Sequence, residues 1–283
     1  MTGAEFAFIR AFVKERSGLY LADDKRYLVE TRLIPIAERH GLSGLPGLVA
    51  ALSRVPGGQL SGEVVDAMTT NESSFFRDRS PFEGFRDVML PALRQSRSRE
   101  RKVRIWSAAA STGQEAYSLA MAFEESALRA EGWQVDILAT DISASAMEQG
   151  KAGRYSQFEV QRGMPAAMLV KYFKQEGETW SVCDTIRRRV AWKYFNLLDS
   201  FAPLGRFDII FCRNVLIYFD AATKSQVLDR LSGALAPDGY LVLGGAETVV
   251  GLSERFRVDP LGRGLYRHTA FGAEAPMARA AAG

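Results

Sequence analysis

The stretch VRIWSAAASTGQEAYS at residues 103–118 decides the fold class of this chain. It predicts a short apolar strand at 103–108, a loop of small residues that ends at Gly113, and a helix that begins near Glu115. Small side chains let the loop backbone approach a ligand at the carboxyl edge of a sheet, where doubly wound α/β folds bind their ligands. The loop lacks the G-x-G-x-x-G spacing, so a nucleoside without phosphates fits better than a dinucleotide.

Strands and helices alternate through the rest of this region, which is typical of a parallel sheet with helices on both faces. The run at 256–268 predicts a terminal hairpin with its turn at 260–264. The predicted strands lie at 103–108, 135–141, 207–212 and 239–245, and the predicted helices at 115–131, 143–153 and 221–235. The fold class is therefore α/β, with a doubly wound sheet.

Three regions depart from this alternation. Residues 1–70 carry apolar residues at helical spacing, so they predict a small all-helical domain and a linker, with a turn-rich break at 56–62. Residues 71–269 form the α/β domain, and 154–196 within it predict an inserted subdomain with a small β-hairpin. Residues 270–283 lack a core-forming pattern and predict a disordered tail.

The composition excludes several classes of protein. Of the 283 residues, 47% are hydrophobic and 24% are charged, which is ordinary for a globular protein and unlike a disordered or fibrous one. Two cysteines and two histidines leave little material for a zinc site or a His-based triad, so we expect no metal. The net charge of +3 lacks the strong excess that is typical of many nucleic-acid binders.

Two groups of polar residues are candidate ligand contacts, and each has a structural alternative. Asp141 ends the second predicted strand, where an acid commonly accepts hydrogen bonds from ribose hydroxyls, or it is a helix N-cap. The block at 71–78 either faces a ligand through Asn71, Ser73 and Arg77 or uses its aromatic pair to anchor the linker on the core.

A third candidate group follows the buried strand at 207–212. Arg213 and Asn214 come directly after the strand, and Tyr218 comes four residues later. An Arg–Asn pair at the carboxyl end of a strand is a plausible wall of a binding site. The alternative is that Tyr218 and its aromatic neighbour are packing residues.

Six runs of residues are similar to one known family. In chain order they are SGLYLADDKRYLVETRL (17–33), TTNESSFFRD (69–78), RIWSAAASTGQEAYSLAM (104–121), ATDIS (139–143), RNVLIYFD (213–220) and LVLGGAET (241–248). Together they resemble the chemotaxis receptor methyltransferase family (CheR), which uses S-adenosylmethionine to methylate receptor glutamates. The resemblance spans about residues 5–268. It implies a class I methyltransferase domain with a mostly parallel seven-stranded sheet, a helical N-terminal domain and a small inserted β-subdomain.

The resemblance also implies a site for S-adenosylmethionine, with S-adenosylhomocysteine as the product. Arg77 and Tyr218 would lie beside the reacting methyl group as catalytic residues. Glu115 would contact the amino-acid end of the cofactor, Asp141 its ribose, and the pair at 196–197 its adenine. The implied cofactor-binding residues are Asn71, Ser73, Arg77, Glu115, Asp141, Asn196, Leu197, Asn214 and Val215.

The sequence departs from the family pattern at three places. Ser73 stands where the family usually has Thr, and a hydroxyl is kept. The usual G-E-E-P-Y-S is G-Q-E-A-Y-S at 113–118, which keeps the second acid, Glu115. The hairpin between Tyr172 and Asn196 is short compared with members that grip a tethering peptide, so we expect binding to receptors without a C-terminal tether.

The expected partner is the acidic cytoplasmic methylation helix of a chemoreceptor, as the resemblance implies. Basic residues of the helical domain would bind this substrate, although interspersed acids also fit a solvated surface. A second basic cluster at 187–189 either contacts the receptor or is an exposed strand. The candidate substrate-binding residues are Lys25, Arg26, Arg32, Arg39 and Arg54.

The N-terminal residues contain too many charges for a signal peptide, and no apolar run approaches the ~18 residues of a membrane span. We therefore expect a cytoplasmic enzyme, acting as a monomer, without nucleic acid or membrane insertion. One alternative is a methyltransferase of the same fold that acts on nucleic acid or a small molecule. The other is a cofactor-sensing adaptor without catalysis.

Overall fold

The computed structural model describes residues 1–271, so most of the expected tail at 270–283 lies outside the described residues. Within residues 1–271, no helix combines the length and the apolar composition needed to cross a membrane. The α-helices of this part of the chain are α1 (Gly3–Ser17), α2 (Arg26–Arg39), α3 (Gly44–Arg54), α4 (Gln59–Met68), α5 (Ser80–Gly84), α6 (Leu90–Ser96), α7 (Gln114–Glu124), α8 (Ala127–Ala130), α9 (Ala144–Ala152), α10 (Gln157–Gln161), α11 (Ala166–Tyr172), α12 (Asp184–Arg187) and α13 (Ala221–Ala234). The strands are β1 (Lys102–Ala108), β2 (Gln134–Asp141), β3 (Arg154–Ser156), β4 (Phe173–Glu176), β5 (Thr179–Val182), β6 (Val190–Tyr194), β7 (Phe207–Cys212), β8 (Leu235–Leu243), β9 (Phe256–Val258) and β10 (Leu265–His268).

The first four helices form a small domain around their own core, as predicted. Helix α1 begins at a capping box between Thr2 and Glu5, which satisfies two free N–H groups, and ends at Gly18 with φ 77°. Helix α4 begins at Gln59, inside the predicted break, because Gly58 at φ 89° ends the turn earlier than expected. The core of this domain includes Phe6, Ile9, Val13, Val29, Leu33, Leu48, Leu52 and Val64.

Seven strands of the described chain form one mostly parallel sheet in the order β6-β2-β1-β7-β8-β10-β9, which confirms the predicted fold class. The strands from β6 to β8 run parallel, and β10 and β9 add the predicted antiparallel hairpin at one edge. Strand β7 is buried at every position, as expected for a strand with helices on both faces.

A second sheet, in the order β3-β5-β4, is inserted between α9 and β6 and contains the predicted hairpin. The predicted extent of this insert, 154–196, is wrong at its end. Strand β6 pairs in parallel with β2, with Val190 opposite Ile137 and Tyr194 opposite Asp141, so it belongs to the main sheet. Because β6 is an edge strand whose side chains are mostly exposed or half-buried, its sequence resembles that of a hairpin strand.

Strand β6 also carries Trp192, which packs against two glycines near the carboxyl edge of the sheet. A Cβ atom on Gly113 would lie 2.6 Å from Cη2 of the indole, and one on Gly150 would lie 2.4 Å from the same atom. Gly113 has φ 97° and leads into α7, and Gly150 lies in α9. Both positions therefore need glycine so that the indole can fit between the loop after β1 and α9.

The helical domain packs against the loop that follows β7. Leu19 pairs with Phe219 in an isolated antiparallel bridge, and the Tyr20 N–H donates to the Tyr218 carbonyl at 2.8 Å. This contact brings the end of the first helix to the carboxyl edge of the sheet. The helical domain therefore forms one wall of whatever binds there.

Candidate functional site

A cavity of about 900 Å³, including the space at its mouth, opens where β1, β2 and β7 end. This is the sheet edge at which the sequence predicts a ligand. Ser17 and Leu19 of the helical domain close one side. Tyr218 and every predicted cofactor residue line this cavity, namely Asn71, Ser73, Arg77, Glu115, Asp141, Asn196, Leu197, Asn214 and Val215.

The loop after β1 is held in an uncommon backbone conformation. Ala109 and Ser111 have φ of 56° and 52°, in the left-handed region that residues with a side chain rarely adopt. The Ala110 N–H donates to the Thr140 carbonyl at 2.9 Å, and the Ser111 N–H donates to Asp141 Oδ2 at 2.7 Å. These bonds fix the loop against the end of β2, so the cavity floor is formed by the fold itself.

Asp141 organises the floor of the cavity from the end of β2. Its Oδ1 accepts the Ser143 N–H at 2.8 Å, while Ser143 itself is the N-cap of α9, so the N-cap alternative for Asp141 is wrong. Burial raises the pKa of Asp141, and the amides of Ser143 and Ser111 oppose that rise. Each carboxylate oxygen keeps a further lone pair with which it can accept a ligand hydroxyl.

Glu115 and Arg213 form an ion pair beside the loop. Glu115 Oε1 accepts the Ser107 hydroxyl at 2.8 Å, and its Oε2 accepts Nη1 of Arg213 at 3.0 Å. Burial raises the pKa of Glu115, while Arg213 and Ser107 act in the opposite direction. Arg213 is 5% exposed and its Nη2 also donates to Asp78 Oδ2 at 2.6 Å and to the Arg77 carbonyl at 3.1 Å. Arg213 therefore joins the wall to the chain segment that carries Arg77.

The two predicted catalytic residues reach the cavity from different segments. Arg77 is half-buried, and the one hydrogen bond of its guanidinium within the described residues goes from Nη1 to the Glu72 carbonyl at 3.3 Å. Tyr218 is half-buried at the end of a 3-10 turn, Leu216–Tyr218. Most donors of Arg77 are thus available to a carboxylate inside the cavity.

The linker block at 71–78 combines both interpretations of its sequence. The Asn71 amide donates to the Ser143 hydroxyl at 3.1 Å, and the Asn71 carbonyl accepts the Ser111 hydroxyl at 2.9 Å. Phe75 and Phe76 are buried in the main core, so they anchor the linker. The packing of the aromatic pair holds the polar residues of the block on the cavity wall.

The wall formed by residues 195–197 is mainly apolar. Phe195 and Leu197 are 8% and 6% exposed and face the same cavity as Ile142. The Asn196 amide donates to the Arg16 carbonyl at 2.6 Å, which ties this wall to the helical domain. The surface suits a flat apolar group such as a purine base.

Glu247 is a residue of the site region that sequence reasoning missed. Its carboxylate accepts four backbone N–H groups, from Asn214 and Gly244 at Oε2 (2.8 and 2.7 Å) and from Val215 and Ile217 at Oε1 (2.9 and 3.3 Å). Asn214 has φ 58°, so this bonding holds a left-handed residue in place. The sequence feature that could have revealed Glu247 is an acid two residues after Gly-Gly in LVLGGAET.

Comparison with known families agrees with this geometry. The model described as "CheR methyltransferase, all-alpha domain" matches residues 4–69, and "CheR methyltransferase, SAM binding domain" matches residues 71–264. The chain belongs to the CheR methyltransferase family. The recognition made from the six sequence runs is confirmed.

Relatives of this CheR family member are similar over nearly their whole length. Chemotaxis protein methyltransferase Cher2 of Pseudomonas putida is 41% identical, over 92% of this chain and 96% of the relative. Chemotaxis protein methyltransferase 1 of Pseudomonas aeruginosa is 43% identical, over 93% and 96%. The chemotaxis protein methyltransferase of Vibrio parahaemolyticus is 40% identical, over 90% and 92%. The protein is a methyltransferase of chemotaxis, and its cofactor is S-adenosylmethionine.

The residues of the cavity fit this cofactor by their chemistry. Glu115 offers a carboxylate to the ammonium group of the cofactor, and Arg77 offers a forked donor to a carboxylate in the cavity. Asp141 offers acceptors to ribose hydroxyls, and Leu197 with Phe195 offers an apolar surface to adenine. These pairings are the contacts that we propose for the CheR domain of this chain.

None of the basic residues predicted to bind substrate is among the described residues that line the cavity. Lys25 pairs with Asp24 at 3.1 Å, and Arg39 lies 3.5 Å from Glu63. Arg26 stacks on the Phe6 ring, and Arg54 is exposed. Arg32 has a structural role that the sequence did not predict, because its Nη1 donates to the carbonyls of Ala67, Met68 and Thr69 at 3.2, 3.1 and 2.7 Å.

Proposed function

We propose that this protein transfers the methyl group of S-adenosylmethionine to glutamate side chains of chemoreceptors, giving glutamate methyl esters and S-adenosylhomocysteine. The observation that carries the proposal is that each carboxylate of the cavity wall already has partners. Glu72 contacts Arg162. Glu115 pairs with Arg213, and Asp141 accepts two backbone N–H groups. Among the described residues that line the cavity there is no His, Cys or Lys, so the lining supports a nucleophile that needs no base.

A glutamate of a substrate protein meets this requirement. Its reference pKa is about 4.3, so its carboxylate is ionised at pH 7 and already nucleophilic. S-adenosylmethionine, when bound, supplies a methyl group activated by a positively charged sulfonium. A hydroxyl or ammonium nucleophile would first have to lose a proton, which requires a positioned base.

The chain's own residues would then align the carboxylate and exclude water. The Arg77 guanidinium can hold a carboxylate through two parallel hydrogen bonds, and the Tyr218 hydroxyl can donate one more. Leu19 of the helical domain and Phe219 of the loop after β7 give the cavity an apolar lining, which would limit access of water. Alignment and water exclusion are the main sources of rate in such a transfer.

Electrostatic attraction would bring the receptor to the helical domain, which is the recognition role proposed for Lys25, Arg26, Arg39 and Arg54. For Arg32 the proposal is restricted, since one of its terminal nitrogens is committed to the end of α4. The proposed complex contains one copy of this protein, in the cytoplasm, without nucleic acid. The strands β4 and β5 have four residues each, and this short hairpin supports binding without a tethering peptide.

The direct experiment incubates the purified full chain with S-adenosylmethionine labelled in its methyl group and with cytoplasmic fragments of candidate receptors. The expected result is label that alkali releases as methanol, because an ester is cleaved by base and an N-methyl group is not. Fragments in which single glutamates are replaced by alanine identify the modified positions and serve as matched controls.

The same assay separates the alternatives. Transfer of label to RNA or to a small molecule, and not to receptor fragments, would overturn the proposal in favour of another methyltransferase of this fold. Intact binding of S-adenosylmethionine without turnover on any receptor fragment would indicate an adaptor. If a tethering peptide fused to the C-terminus of the receptor fragment lowers the KM for that fragment, the tether-independent mode is contradicted.

A further inference from the structure

Two large exposed side chains belong to residues next to Tyr218, which itself lines the cavity. Tyr20, from the helical domain, is 55% exposed, and Ile217, which precedes Tyr218 in the chain, is 43% exposed. We call these two residues the Tyr20–Ile217 rim. Large side chains of this kind at the edge of a cavity are typical of surfaces that another molecule covers.

The backbone N–H of each residue of the rim donates a hydrogen bond that fixes its position. The Tyr20 N–H donates to the Tyr218 carbonyl at 2.8 Å, next to the bridge between Leu19 and Phe219. The Ile217 N–H donates to Glu247 Oε1 at 3.3 Å. The rim is therefore a pre-formed surface contributed by both domains.

We infer that the Tyr20–Ile217 rim contacts the substrate protein on either side of the glutamate that enters the cavity. The inference rests on the proposed function. The carboxylate oxygens of a glutamate lie no more than about 5 Å from its Cα atom, because three C–C bonds of ~1.5 Å and one C–O bond separate them. The substrate backbone must then come close to the cavity mouth, and its neighbouring side chains must meet the residues that surround Tyr218.

The chemistry of the rim specifies the surface of the partner. In a helical substrate, residues three and four positions from the glutamate lie on the same face as the glutamate. The rim would cover small or apolar side chains at these positions, and the tyrosine hydroxyl remains able to bond a polar neighbour. The occupant is thus an acidic receptor helix with an apolar or small residue one turn from the methylated glutamate.

The test compares Tyr20→Ser and Ile217→Ser with the wild-type chain in the receptor methylation assay. Each change should raise the KM for the receptor fragment by about fivefold to tenfold, as loss of an interface anchor does. The KM for S-adenosylmethionine should not change, since neither side chain lines the cavity. Leu261→Ser changes an apolar residue that is 68% exposed, more than either rim residue, in the hairpin at the far edge of the sheet; it is the control and should change neither KM.

A second arm uses the substrate side. Replacing the residue one turn from the methylated glutamate by lysine should raise the wild-type KM, and should have a smaller effect on the Tyr20→Ser variant. If both rim variants are active and their KM for the receptor fragment is unchanged, the inference about the rim is overturned and the proposed function is not. A rise in the KM for S-adenosylmethionine as large as the rise in the KM for the receptor fragment would overturn it too. Absence of base-labile transfer by the wild-type chain would instead overturn the proposed function.

Discussion

Arg213 and Glu115 form a buried ion pair at the floor of the cavity, with Nη1 of the guanidinium 3.0 Å from Oε2 of the carboxylate. The side chains are 2% and 13% exposed, so each charge depends on the other for stabilisation. The same guanidinium bonds Asp78 and the carbonyl of Arg77. One arginine thereby sets the orientation of an acid proposed to bind the cofactor and the position of the segment that carries Arg77.

Replacing Arg213 by methionine should destabilise the protein by about 3–5 kcal/mol, because Glu115 is then buried without a counter-charge. Arg213 opposes the burial that raises the pKa of Glu115, so its loss raises that pKa further. The penalty should be largest above the pKa of Glu115 and shrink as the pH falls and the carboxyl takes a proton. Urea unfolding measures it, and a double variant with Glu115→Gln should lose less than the sum of the single changes.

Arg77→Ala and Tyr218→Phe should lower the rate of methyl transfer more than they lower cofactor affinity. Both residues are proposed to orient the substrate carboxylate, and loss of alignment costs on the order of tenfold to a hundredfold in rate. Single-turnover kinetics and calorimetric binding of S-adenosylmethionine separate the two effects. Arg79→Ala, which removes an exposed arginine outside the cavity lining, is the control. Equal losses of rate and affinity would contradict the positioning role.

Glu247→Gln should weaken methyl transfer although Glu247 does not line the cavity. The amide nitrogen of glutamine would face two backbone N–H groups, either those of Asn214 and Gly244 or those of Val215 and Ile217. An amide nitrogen is a donor, so it cannot accept their hydrogen bonds. We expect a loss of about 1–3 kcal/mol in the free energy of unfolding. The turnover of the folded variant should also fall, by more than this loss of stability explains. Asp259→Asn is the control, since this buried acid caps the Leu261 N–H in the distant hairpin.

Much of the fold and the candidate site follows from patterns that are local in the sequence. The strand–loop–helix at 103–118 and the later alternation dictate a parallel sheet, because a parallel connection needs a crossover helix. Asn71, Glu115, Asp141 and Asn214 lie far apart in the chain, yet they line one cavity. They do so because three of them follow or flank the ends of adjacent parallel strands, and such ends share one edge.

The features that the sequence did not reveal depend on contacts between distant backbone groups. Glu247 accepts hydrogen bonds from backbone N–H groups, which every residue type except proline carries. The side chains of residues 214–217 therefore do not indicate this interaction in the sequence. Arg32 likewise donates to carbonyls at the end of α4, and a surface arginine would have the same sequence context. Strand β6 lies at the edge of the sheet, so it has one neighbouring strand and is partly exposed. Its sequence pattern therefore does not indicate to which sheet the strand belongs.

Gly150→Ala should destabilise the protein and weaken cofactor binding. The new Cβ would meet the Trp192 indole at 2.4 Å, and the indole also contacts Gly113 at the entrance of the cavity loop, so it cannot move freely. Overpacking of this kind costs about 1–3 kcal/mol. Gly233→Ala is the matched control, because this glycine also lies in a helix and has open space around it. The control should be stabilised by about 0.5–1 kcal/mol, and a similar gain at Gly150 would contradict the packing argument.

Asp220→Asn should loosen the contact between the two domains in a pH-dependent way. Asp220 Oδ2 lies 2.6 Å from Lys14 Nζ of the helical domain, and its Oδ1 caps α13 by accepting the Thr223 N–H at 2.8 Å. The Lys14 ammonium and the Thr223 amide lower the pKa of Asp220 to about 2. Because the folded pKa lies below the reference value of about 3.9, the stabilisation is complete above that value and disappears as the pH falls through about 2.

At pH 7 the asparagine variant should therefore be less stable than the wild type by about 1 kcal/mol, the usual effect of losing an exposed ion pair and a negative charge at a helix N-terminus. The difference should stay constant down to about pH 4 and shrink below it, as measured by urea unfolding at several pH values. Lys14→Met serves as the partner control: it removes the ammonium alone, so the pKa of Asp220 should rise toward its ordinary value and the loss of stability below about pH 4 should become smaller. A difference between wild type and Asp220→Asn that does not shrink below about pH 4 would show that Lys14 does not hold this carboxylate in solution.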